Sequence, residues 1–192
     1  MSSIIDEAIS GFNHFLKEQK MVEGKANLQT MLFDTEFIVS KLKDIQEVPE
    51  FNRETYEPRG ATALYDAIGK TIDSEIDRIS NLTKEERPSK TLCVILTDGY
   101  ENSSHEYHQD LIKRKIEEMR NDFNWEFIFL AANQDAMFTA DGLGISRGNA
   151  MNFDYSGDGV TVAYDSMSKA TKHYRMSEET NYDIFEESEK EK

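Results

Sequence analysis

A single cysteine, Cys93, excludes any disulfide within the chain and points to a reducing compartment. Basic residues are also scarce. The 22 Lys and Arg stand against 37 Asp and Glu, a net charge of −15. Nucleic-acid binding rests on clustered cations that neutralise phosphate, so this balance argues against it, and it equally disfavours an anionic membrane surface. No apolar run approaches the length of a membrane span, and the opening MSSIIDEAIS has neither a basic n-region nor a cleavage site. Internal repeats are missing too. These absences leave a cytoplasmic globular protein as the expectation, with length enough for one substantial core.

What is present is a regular alternation of patterns. Ile5, Ala8, Ile9, Phe12, Phe15 and Leu16 recur at helical spacing behind Ser3 and Asp6, which are placed like a capping box, and Gly24 marks a stop. ANLQTMLFDTEFIVSKL reads as two strands around a turn near Asp34 and Thr35. A loop punctuated by Pro49, Pro58 and Gly60 follows, then a helix from Thr62 with Leu64, Ile68, Ile72, Ile76 and Ile79 on one face. TLCVILTD is a continuous apolar run, as expected of a strand covered on both faces. A helix over 109–121 precedes a second buried strand, WEFIFLAAN. A short helix at 136–140, a short strand at AMNFD and a helix over 160–174 complete the pattern. Strands alternating with helices predict an α/β chain built on a mainly parallel sheet. The last stretch, SEETNYDIFEESEKEK, holds seven acidic and two basic residues, so 176–192 reads as an acidic disordered tail or a short docking peptide.

Four segments invite a chemical reading. Thr62, on the small-residue loop of RGATALYDAIG, and Asp98, at the end of VILTDG, offer hard oxygen donors of the kind Mg²⁺ prefers. The plainer reading makes Thr62 a helix cap and Asp98 a turn residue. GKT at 69–71 lacks the earlier glycine of a phosphate loop, because Leu64 stands there, and it continues a helical period. DYSGDGVTVAYD, from Asp154 to Asp165, matches much of a calcium loop but follows a strand and closes on Asp, so an acidic strand-to-helix turn explains it better. His105 and His108 in SSHEYH have neither zinc-protease spacing nor a nucleophile elbow, and they read as a solvated loop.

Taken in order, RGATALYDAIG, VILTDGYENSS, WEFIFLAANQDA, and GLGI before a helix ending ATKHYR resemble a von Willebrand factor A (vWA) domain of the intracellular bacterial and phage kind, over roughly residues 1–175. The resemblance implies a doubly wound, mostly parallel, Rossmann-like sheet with helices on both faces. It also implies a metal-ion-dependent adhesion site at the C-terminal edge of that sheet. Thr62 and Asp98 match two of the family's metal-site residues, Gly99 would turn the chain away, and Glu101, Asn102 and Asp34 would shape a partner-binding rim. In the family the cation, usually Mg²⁺, keeps one position open for a partner's acidic side chain. The implied function is a protein-interaction module rather than an enzyme.

The family's Asp-x-Ser-x-Ser motif and the strand that carries it are absent, because the sequence opens at the methionine that usually follows them. Thr62 and Asp98 alone would then hold Mg²⁺ only weakly. The strands on either side of the missing one would also need new hydrogen-bond partners. Three arrangements satisfy this: the hairpin closes on the 91–98 strand, a partner or second copy supplies a strand, or the start lies upstream of Met1. The third is the most economical on sequence grounds. Two other functions fit the same residues. One is a Mg²⁺-dependent phosphohydrolase or nuclease using Asp98 and Asp34, and the other is a metal-independent scaffold or inhibitor subunit.

Overall fold

Helix α1 (Ile5–Met21) forms where Ala8, Phe12, Phe15, Leu16 and Gln19 fall on one buried stripe. It belongs to a computed structural model that describes residues 4–56, 60–132, 135–177 and 185. The helix ends three residues before Gly24; Ser2 and Ser3, read as its cap, lie outside the described residues.

A long, interrupted hairpin follows. Strand β1 (Asn27–Leu28) pairs antiparallel with β4 (Lys43–Asp44), and β2 (Met31–Phe33) pairs with β3 (Phe37–Val39) around the expected turn at 34–36. The Ser40 N–H, donated to the Thr30 carbonyl at 2.9 Å, joins the two halves. Then come α2 (Leu64–Ser80), β5 (Thr91–Thr97), α3 (Gln109–Phe123), β6 (Trp125–Ala132), α4 (Ala136–Gly142), β7 (Ala150–Phe153) and α5 (Gly157–Met176). Asn124, in the left-handed region at φ 56°, donates its N–H to Met119 and so lets the chain pass from α3 into β6 within one residue. GKT lies inside α2, and the calcium-loop-like stretch is the β7-to-α5 turn, capped by Ser156 accepting from the Gly159 N–H.

β5, β6 and β7 form a parallel sheet in the order β5-β6-β7, with Cys93 opposite Phe127 and Leu130 opposite Met151. Because side chains alternate along a strand, β6 feeds two cores. Phe127, Phe129 and Ala131 meet Leu64, Ile68 and Ile72 of α2 together with Ile112 and Ile116 of α3. Ile128, Leu130 and Ala132 meet Phe12, Phe15 and Leu16 of α1 and Val160, Ala163 and Met167 of α5. Helices therefore cover both faces, and the molecule is a mixed α/β fold. No helix among the described residues is long and apolar enough to cross a membrane.

Of the three arrangements, one is not adopted: the hairpin does not close on β5, since its strands pair only with one another among the described residues. β5 is also not sealed as its sequence suggests. All eight residues of β6 are buried, whereas only Ile95 and Thr97 are buried in β5. The reason is positional. β6 has a strand on each side, and β5 has one only on the β6 side among the described residues. In the acidic stretch beyond Ser177, Phe185 is the one described residue; it is buried in the α1–α5 core, and its N–H reaches the Gly148 carbonyl at 3.1 Å. The rest of the tail reading lies outside the described residues.

Candidate functional site

The C-terminal end of β5 is where an open parallel sheet presents side chains to ligands. Here the Thr97 hydroxyl helps to fix the turn. The Thr97 hydroxyl accepts from the Gly99 N–H at 3.3 Å and donates to the Gly99 carbonyl at 3.1 Å. Gly99 then passes so close to Thr62 that a Cβ on it would stand 2.7 Å from the Thr62 Oγ1. Only glycine permits that approach without displacing the hydroxyl.

Thr62 is 8% exposed and is not the helix cap. The cap position of α2 is Ala63, which has no side chain able to accept a hydrogen bond. The first turn of α2 is instead satisfied from the 101–104 loop. The Glu101 carboxylate accepts from the Tyr65 N–H at 2.9 Å, and the Ser104 hydroxyl accepts from the Asp66 N–H at 3.1 Å. Asn102 locks Thr62 in place: its Oδ1 accepts from the Thr62 N–H, and its own N–H donates to the Thr62 carbonyl, both at 3.0 Å. Asp66 reciprocates by accepting the backbone N–H groups of His105, Glu106 and Tyr107 at 2.8–3.0 Å.

Titration follows from these contacts. Burial pushes the Glu101 carboxyl up, but donation from Tyr65, Ser104 and Ser103 outweighs it and holds the group below its ordinary range. Asp66 behaves alike: burial raises it, but the three backbone donors outweigh this and hold it below its ordinary range. The Tyr56 hydroxyl is pushed up to about 12, first by burial and then by the nearby charge of Asp98.

Asp34 joins the same edge from the hairpin. It is buried, its Oδ1 accepts from the Glu36 N–H at 2.5 Å, and its carbonyl accepts from Ala63 at 2.9 Å. All six residues singled out from the sequence therefore converge at one end of the molecule, though in different roles. Thr62, Asp98 and Gly99 form the floor, and Glu101 and Asn102 brace the loop that carries Thr62. Asp34 ties in the hairpin turn. The structure adds Asp66, Ser104 and Tyr56. Of these, Asp66 had a local signal, as a carboxylate in the first turn of an otherwise apolar helix face. His105 and His108 are exposed on the loop leading into α3.

The donor chemistry of Thr62 and Asp98 suits Mg²⁺, although Thr62 is buried and its hydroxyl is packed against Gly99. The number of donors is small. The Glu101 oxygens are engaged by N–H and O–H donors, and no group of three or more His, Cys, Asp or Glu among the described residues could hold a metal ion. Water would have to supply most of the coordination shell. Comparison of the chain with protein-family models, with curated proteins and with solved structures returns no match.

Proposed function

We propose that the chain is a vWA-like, cytoplasmic protein-interaction module that engages a protein partner through the edge formed by Thr62, Asp98, Gly99, Glu101, Asn102 and Asp34. In this reading the sheet is the doubly wound type, lacking its usual first strand. The observation that carries the proposal is the convergence of three separate loops on the end of β5, with Thr62 and Gly99 in intimate contact and Asn102 holding Thr62 by two hydrogen bonds. Rigidly braced loops above a parallel sheet are a recognition surface; chemistry would need a positioned nucleophile or base in addition.

Where a cation takes part, Thr62 and Asp98 hold it, and its role is to attract a partner carboxylate to an edge that is otherwise acidic. The protein's own contribution is the fixed position of the hydroxyl and carboxylate. Mn²⁺ serves as the probe. Titrated into the ¹⁵N-labelled protein, it should broaden the amide signals around Thr62 and Gly99 first, and Asp98→Ala should remove that effect. Capture of proteins from the native source with and without EDTA, by wild type and by Asp98→Ala, then tests the edge itself. Capture that survives both treatments moves the interface elsewhere. Phosphoester turnover with Mg²⁺ or Mn²⁺ that disappears in Asp98→Ala replaces the module with an enzyme.

A further inference from the structure

Phe185 stands in an acid-rich stretch: residues 178–192 hold seven acidic and two basic side chains. A stretch of that composition has little to pack. Phe185 is nevertheless only 2% exposed, it belongs to the α1–α5 core, and its N–H donates to the Gly148 carbonyl at 3.1 Å. Gly148 lies just ahead of β7 and next to Arg147, whose exposed guanidinium meets Asp141 at 2.9 Å. Asp183, Glu186 and Glu187 flank Phe185 in the chain, and their sign complements that guanidinium.

The chain before this stretch is fixed elsewhere. Lys90, immediately ahead of β5, donates from Nζ to the Tyr174 carbonyl at 3.0 Å and to the Ser177 carbonyl. The Tyr174 hydroxyl donates to the Thr91 carbonyl at 3.3 Å. α5 therefore ends at the start of β5, while Phe185 is bonded at the start of β7. In a parallel sheet ordered β5-β6-β7 these starts share one end, two strand spacings or about 10 Å apart. Eight residue steps from Ser177 to Phe185 can reach roughly 26 Å. The connection is too long to press Phe185 into place, so its pocket holds it by apolar contact and one backbone hydrogen bond. Such contacts favour the docked form on the order of a hundredfold, against about a thousandfold or more for the unfolding of a whole domain.

We infer that the pocket holding Phe185 is a peptide-docking site, at the end of the sheet opposite the Thr62 and Asp98 edge. Its ligand is the chain's own acidic stretch around Phe185, docked reversibly. Recognition rests on the Phe ring in the α1–α5 core, the N–H of the same residue on the Gly148 carbonyl, and acidic neighbours beside Arg147. Phe185 leaves without unfolding α1, α5 or the sheet, and a segment of the same sequence supplied from outside then fits the pocket. The site involves no cation, so it stands or falls separately from the Thr62 and Asp98 edge.

Two experiments on the intact chain test this. In the wild type, native-state hydrogen exchange is compared between the Phe185 amide and the amides of Phe127–Leu130 in β6. Exchange at Phe185 should be at least about tenfold faster, through an opening that leaves β6 protected. Equal protection overturns the proposal, because Phe185 then opens only with the whole core. In the second experiment, a fluorescent peptide of sequence TNYDIFEESE, copied from residues 180–189, is titrated into Phe185→Ala. Saturable binding is expected, at least about tenfold weaker in the wild type, whose pocket is filled by its own chain. The same peptide with alanine in place of its Phe should not bind. Absence of binding to a Phe185→Ala variant that keeps the wild-type circular dichroism overturns the proposal. Equal binding to the wild type, or equal binding by the alanine peptide, overturns it too. If Phe185→Ala does not fold, the exchange comparison alone decides.

Discussion

At the residue scale, two carboxylates carry the architecture of the candidate edge. Asp66 and Glu101 each accept several backbone N–H groups from loops that have no helix or sheet to satisfy them. Asp66→Ala leaves three such donors with no acceptor and should lower stability by roughly 1–3 kcal/mol, read from the urea midpoint at constant m. Both groups titrate lower in the folded chain than their ordinary values of 3.8 and 4.5. The unfolded chain therefore binds more protons in that window. The stability they contribute is complete above those ordinary values and drains away as pH falls through the lower folded-state values. Unfolding monitored from pH 6 downward, starting where both carboxyls are ionised, should show that loss in wild type and a flatter profile in the Asp66→Asn, Glu101→Gln double variant. Gly99→Ala places a methyl 2.7 Å from the Thr62 hydroxyl and should abolish Mn²⁺ broadening at Thr62 while leaving the fold intact by circular dichroism.

At the element scale, the two cores depend on how closely helices approach. Gly11 in α1 lies under the Tyr164 ring of α5, where a Cβ would come within 2.3 Å of Cδ2. Gly11→Ala should cost about 1–3 kcal/mol through overpacking, and Tyr164→Ala should relieve much of it. A thermodynamic cycle over the two positions would show this as strong non-additivity, whereas simple addition would place the strain elsewhere. Arg175 fastens the other end of the same pair by donating to the Gln19 carbonyl at 2.6 Å and to the Val22 carbonyl at 3.2 Å. It thereby satisfies carbonyls at the C-terminal end of α1. At the start of β6, Glu126 is buried, with Arg120 of α3 at 3.1 Å. Burial raises its carboxyl above the ordinary range even though Arg120 pulls the other way. Replacing Glu126 by Gln should therefore change stability little, while Arg120→Met should cost up to roughly 3 kcal/mol by leaving the acid uncompensated.

At the scale of the whole molecule, the excess of acidic residues and the open edge of β5 act against each other. Net charge of −15 at pH 7 keeps copies apart, and this repulsion vanishes near the isoelectric point of about 4.7. β5, which has no strand on its outer side among the described residues, then offers an apolar edge for pairing. Light scattering should rise sharply as pH approaches 4.7 at low salt, and hydrogen exchange at Thr91–Thr97 should slow in the associated material. Unchanged exchange there would assign the association to another surface.

Helix and strand periods were legible in the chain because they are local: the stripe of α1, the run of β6 and the short β7 lie close to where their side chains place them. The small-residue loop before α2 and the Asp-Gly turn after β5 were legible for the same reason. Which strands become neighbours is not local. TLCVILT has the composition of a central strand, yet its burial depends on what lies beside it, and only the tertiary arrangement leaves one edge without a partner among the described residues. Likewise, ENSS reads as a rim in the sequence, and only the tertiary structure shows that Glu101 and Asn102 also accept N–H groups from Tyr65 and Thr62, because the cap position of α2 is Ala63, which cannot cap the helix. The sequence by itself determined the elements, the charge and the residues gathered at one end of the sheet. The tertiary structure decided their roles, because hydrogen-bond demand at helix starts and strand edges is met through space rather than along the chain.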